Sequence, residues 1–125
     1  MRKCSYGPAL AFLALLVTHV MPPGAAAATP VGLEETIQAA RTDAARRTGL
    51  APESLELVSA ETVSWPDGSL GCPHPGMLYT QALVAGFRIR LRAQATLLDY
   101  HASARGALVL CPAERSTDPA PDPRT

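Results

Sequence analysis

Two cysteines, Cys72 and Cys111, lie downstream of a leader-like start in this chain of 125 residues, and their pairing limits the folds open to it. Arg2 and Lys3 open the chain, Pro8–Met21 is predominantly apolar, and Pro22-Pro23-Gly24 breaks the run before Ala25-Ala26-Ala27-Ala28. A charged start, an apolar middle and small residues before a cut are the parts of a secretory signal peptide. A membrane anchor needs about 20 apolar residues to cross the hydrocarbon; this run is shorter and carries His19. Cleavage after Ala27 or Ala28 is therefore expected, making residues 1–28 a signal peptide. Cys4 would leave with it, and it precedes the apolar run, on the wrong side for a lipoprotein. The even pair that remains reads as a disulfide in an oxidising compartment. It would close a loop of roughly 40 residues, about 4 kcal/mol in the chain-entropy model. For a small domain that rivals the margin a core supplies.

The remaining length allows one domain. Basic and acidic residues balance at 11 each, and loss of Arg2 and Lys3 turns the mature chain weakly acidic. A grip on nucleic acid needs a basic excess, so that class is excluded. Leu33–Thr48 contains no proline or glycine, carries acids early and arginines late, and spaces Leu33, Ile37, Ala40 and Ala44 on one helical stripe. Gly49 suits a C′ cap and Pro52 blocks continuation. The alanine-rich stripe predicts a helix lying close on a sheet.

After Pro52 the pattern is that of strands. Ser54–Trp65 alternates, Met77–Val84 and Phe87–Ala93 flank a turn at Ala85-Gly86, and Thr96–Ala102 and Ala107–Cys111 flank one at Arg105-Gly106. The expected fold is α+β: one N-terminal helix packed on a four- to five-stranded antiparallel sheet in two layers, with one disulfide. Residues 29–112 form the domain. Residues 113–125, rich in proline and poor in apolar side chains, are expected to be a disordered tail.

The stretch Trp65–Gln81 concentrates Pro66, Gly68, Gly71, Pro73, Pro75 and Gly76 around Cys72. A loop stiffened by proline and pinned by a disulfide loses little entropy on docking, which suits recognition. Its bland reading is a well-held connection between strands. The run W-P-D-G-S-L-G-C-P-x-P-G-x-x-Y-T-Q, followed by Gly86-Phe87-x-Ile89-x-Leu91, Tyr100-His101 and Cys111, resembles a family of small secreted bacterial proteins of uncharacterised function. The resemblance implies an exported single domain with the same paired cysteines, and no activity. Where that pattern leads one to expect a glycine turn, this chain has Gln94-Ala95.

Other constellations are weaker. Cys72, His74, His101 and Cys111 are zinc ligand types, but their spacing is poor and export favours the disulfide. Asp67, Ser69 and His74 do not make a nucleophile elbow, because Asp67 stands where glycine belongs. Arg88, Arg90 and Arg92 alternate with Phe87, Ile89 and Leu91, which predicts a solvated basic sheet face that discourages edge-to-edge association. Trp65, the only tryptophan, is expected to close the edge of the core. The sequence thus points to a non-enzymatic, periplasmic or secreted interaction module without cofactor or metal. Its binding loop is expected to comprise Trp65, Asp67, Ser69, Leu70, His74 and Tyr79, presented to an extracytoplasmic protein as protease inhibitors present theirs. The rival is a small-ligand or metal-binding envelope protein using His74, His101 and the aromatics.

Overall fold

The computed structural model describes residues 29–124, together with Val20 and Gly24, so the expected signal peptide lies outside the described residues apart from those two positions. Helix α1 spans Leu33–Thr48, with Glu34 and Glu35 in its first turn and Arg46 and Arg47 in its last. Gly49 ends it at φ 73°, its N–H donating to the Ala45 carbonyl at 2.9 Å. Ile37, Ala40 and Ala44 are buried, as the stripe predicts, and the bare alanine faces let the helix axis come close to the sheet. A short 3-10 turn, Pro52–Ser54, follows and is tied back by the Arg41 guanidinium, which donates to the Pro52 and Leu55 carbonyls.

Strands β1 (Glu56–Trp65), β2 (Val84–Ala93), β3 (Thr96–Ser103) and β4 (Leu108–Cys111) form one antiparallel sheet in the order β1-β2-β3-β4. This is the expected α+β architecture, with four strands. The strand predicted at Met77–Val84 does not form, and Ala85-Gly86 is not a turn. Both residues lie inside β2, paired with Ser64 and Val63. The tight turn of the β2–β3 hairpin is Gln94-Ala95, between the facing residues Ala93 and Thr96 that bound the expected strands, and Gln94 takes a φ of 56°. Glycine is the usual residue for such a position, and glycine content is what suggested the extra turn at Ala85-Gly86. The turn at Arg105-Gly106 is where expected, with Gly106 at φ 98°.

Phe87, Ile89, Leu91, Ala93, Tyr100 and Ala102 point toward α1 and form the main core with Leu55 and the helix stripe. The opposite face is also covered, which the two-layer expectation did not include. Trp65, Arg88 and His101 are buried there beneath the Pro66–Cys72 loop and the C-terminal segment. Of the expected tail, residues 113–125, the stretch 113–120 is instead bound to the domain. The Thr117 N–H donates to the Gly71 carbonyl at 2.9 Å, the Ala120 N–H to the Ser64 carbonyl at 2.8 Å, and Asp118 pairs with Arg88. Polar backbone and side chains hold this strap, so an absence of apolar residues gave no sign of it. Among the described residues no helix is long and apolar enough to cross a membrane.

Two consequences are measurable. Ending the chain at Pro112 removes several part-buried hydrogen bonds worth about 1 kcal/mol or less each, so a loss of about 2 kcal/mol is expected. In a domain of this size that lowers Tm by about 10 °C in a thermal melt. Gly86→Ala places a methyl group inside contact distance of the Ala102 carbonyl and against the Trp65 indole. Both neighbours are fixed, so an overpacking cost of about 3 kcal/mol is expected in urea denaturation.

Candidate functional site

The hairpin register decides what meets on the second face. With the turn at Gln94-Ala95, His101 lies opposite Arg88 and Asp99 opposite Arg90. Residues two apart in a strand share a face, so Asp99 and His101 emerge side by side. Arg88 forks onto Asp99, Nε donating to Oδ1 at 3.1 Å and Nη2 to Oδ2 at 2.8 Å. Ser116 of the strap donates its hydroxyl to Asp99 Oδ2 at 3.2 Å. The His101 Nε2 lies 3.3 Å from the same oxygen and 3.4 Å from Ser116 Oγ. Burial alone would raise the Asp99 carboxyl, but the hydrogen bonds from His101 and Arg88 override it and hold Asp99 well below the usual carboxylate range. Arg88 is therefore not part of a solvated basic face. Only Arg92, 3.9 Å from Glu56 and half exposed, behaves as expected of the three.

His101 is fully buried, with Nδ1 2.7 Å from the Leu70 carbonyl. The Trp65 ring stacks on it at a centroid distance of 4.4 Å, and the indole N–H donates to the Ala102 carbonyl at 2.9 Å. Trp65 thus seals a core, as anticipated. Its aromatic partner is His101, whereas Tyr100 points to the other side of the sheet and donates to Asp43 at 2.9 Å. Burial and that hydrogen bond push the Tyr100 phenol above its ordinary range. Gly71, at φ 69°, lets the loop backbone cross directly over the indole, where a methyl group would press into the ring. The preceding Leu70 also takes a positive φ, 55°, a costly conformation offset by its buried side chain and its bond to His101. Cys72 and Cys111, with Cα atoms 5.7 Å apart, close the far end of this layer as a disulfide.

The residues expected to form a binding loop therefore divide into two sets. Trp65, Ser69 and Leu70 are buried, the last only 6% exposed, which corrects their reading as presented side chains. Asp67 is half-buried and accepts the Ser69 N–H at 2.8 Å, bracing the turn from inside. His74 is exposed, and its N–H donates to the half-buried Tyr79 hydroxyl at 2.9 Å. That bond, the Met77 N–H to His74 carbonyl bond at 3.2 Å and the Gly68 N–H to Thr80 carbonyl bond at 2.9 Å hold the rest of the loop in one shape. Along it, Met77, Leu78 and Leu83 stand in water, Leu78 at 98% exposure. The sequence reading passed over these three because it assigned them to a strand.

The zinc ligand types do not converge: both thiols are in the disulfide, and among the described residues no group of three or more His, Cys, Asp or Glu side chains is placed to hold a metal ion. The Ser116–His101–Asp99 set differs from the loop residues first weighed for hydrolysis. Ser116 and Asp99 crowd the same imidazole nitrogen while a carbonyl occupies the other, so the set works as a lock between strap and sheet. Its signal was in the sequence: Asp99-x-His101 faces Arg88-x-Arg90 once the turn is placed at Gln94-Ala95.

The lock has a pH dependence of defined sign. A carboxyl whose folded pKa is depressed contributes stability above its unfolded value, near 3.9, and loses it as pH falls through the folded one. Stability should therefore decline from about pH 4 downward, and Asp99→Asn should flatten that decline in urea titrations. At neutral pH, Arg88→Ala leaves a largely buried carboxylate without its fork, and a loss of about 3 kcal/mol is expected.

One family model, described as a domain of unknown function (DUF8738), matches residues 37–111, from the first turns of α1 to the end of β4. No curated protein and no solved structure matches the chain.

Proposed function

This chain belongs to the DUF8738 family of domains of unknown function, and from that premise we propose that it is an exported, non-enzymatic interaction module that binds another extracytoplasmic protein through Pro73–Leu83. One observation carries the reading: Met77, Leu78 and Leu83 are exposed on a segment that is neither helix nor strand yet is braced by hydrogen bonds at His74, Met77, Tyr79 and Thr80. Exposed apolar side chains that are scattered and mobile need no explanation. Several on one braced loop give a partner buried area at small entropic cost. The binding surface is thus narrower than the loop expected from sequence and shifted toward β2, with His74 and Tyr79 retained and Trp65, Ser69 and Leu70 serving as its foundation.

Export is supported by Arg2 and Lys3 ahead of the Pro8–Met21 apolar run, and by the buried Cys72–Cys111 disulfide, a bond that persists in oxidising compartments. A protease-inhibitor-like mode is one form of the reading, since such inhibitors also offer a braced loop.

Leu78→Asp and Met77→Asp, separately, should leave Tm within a few degrees, as ordinary surface changes do. Either should weaken capture of the partner from an envelope fraction by about tenfold or more, the effect of a hot-spot residue. Unchanged capture by both variants would remove this surface from consideration. Intact mass before and after reductant should show one disulfide in exported material.

A further inference from the structure

The C-terminal prolines belong to no part of the proposed recognition loop, and their placement has its own logic. β1 is an edge of the sheet, paired only with β2. In an antiparallel strand the N–H and C=O of one residue point to the same side, and those of the next residue to the other. The Ser64 carbonyl points away from β2, because it accepts the Ala120 N–H of the strap. By the same alternation Ala60 and Thr62 also turn their backbone groups outward along the regular run Ser59–Trp65. An open row of that kind is a template for another strand.

The strap that reaches this edge reads Pro119-Ala120-Pro121-Asp122-Pro123. It lies beside Thr62, Val63 and Ser64, with a cleft of about 480 Å³ between. Ala120 aims its N–H at β1, so in an extended chain Pro119 and Pro121 are the positions whose N–H would face outward. Proline has none. The strap therefore satisfies one edge carbonyl while offering no such donors on its own outer side.

We propose that the β1 edge is a strand-pairing surface for a second copy of this chain, and that the proline strap is its built-in competitor. A second copy is the occupant because the outward row is self-complementary. With a twofold axis at Thr62, Ala60 of one copy faces Ser64 of the other and Thr62 faces Thr62, so every outward-pointing residue meets another. Glu61 then falls opposite Val63, and no carboxylate directly faces its counterpart. Each strap sits on Ser64, at one end of that ladder, so by symmetry the two straps block both ends.

Sedimentation velocity over a wide concentration range tests this on the purified full chain and on a version ending at Asp118, which keeps the Arg88 ion pair and the Thr117 bond. The full chain should stay monomeric and the shortened one should dimerise. Amide exchange at Ala60 and Thr62 should slow by about tenfold or more in that dimer. Adding Thr62→Pro, which removes an outward N–H and no bond to β2, should return the shortened version to monomer. A monomeric shortened chain, or a dimer that survives Thr62→Pro, would overturn the proposal. Should shortening lower Tm, full-length Ala120→Pro carries the same test by deleting the anchoring donor alone, and a monomer there also overturns it. These outcomes are independent of binding through Leu78.

Discussion

Arg88 and Asp99 form an ion pair on a sheet face that would otherwise be open to water, and most of the second layer follows from burying it. A charge taken out of water is costly unless its partners satisfy every lone pair and proton. Asp99 meets that demand with the Arg88 fork, the Ser116 hydroxyl and the His101 ring. Each of these comes from a different direction, so the strap must come to the sheet and the loop must close over the imidazole. The Leu70 carbonyl holding His101 and the indole stacked on it complete the enclosure. The disulfide then joins the loop to the end of β4, shortening the search that brings loop and sheet together.

The two faces of the sheet are thus stabilised by different physics. Toward α1 the contacts are apolar and close, with alanines setting the separation. Toward the loop they are directional: hydrogen bonds, ion pairs centred on Arg88 and Asp99, and an aromatic stack. The first kind tolerates small volume changes, whereas the second fails when any one partner is removed. Its directional contacts also give the loop a fixed base from which Met77, Leu78 and Leu83 extend into water.

Legibility from sequence was uneven, and the division has physical causes. Helix α1 and its Gly49 cap were readable because periodicity and capping are local. The disulfide was readable because only two cysteines remain in the expected mature chain. The hairpin at Gln94-Ala95 was delimited by its flanking strands despite lacking glycine, but a further turn was wrongly read at Ala85-Gly86, which lies inside β2. Gly86 is instead a packing glycine, small because the Ala102 backbone and the Trp65 indole need its space. With the Arg88 face taken as solvated, Arg88 was not matched to Asp99 and His101, and the polar cluster stayed hidden.

By itself the sequence determined the local elements: one helix, strands after it, a covalent link between two distant points, and a tryptophan too large to leave at an edge. Only the tertiary structure decided that the Trp65–Cys72 half of the loop is core and the Pro73–Leu83 half is surface. It alone showed that a proline-rich segment with nothing apolar to bury is held as a strap. The reason is that the strap's partners are single backbone carbonyls, the Arg88 guanidinium and the Asp99 carboxylate, contributed by residues far away in the chain. Hydrophobic pattern records which side chains leave water, but not which polar groups meet after they do.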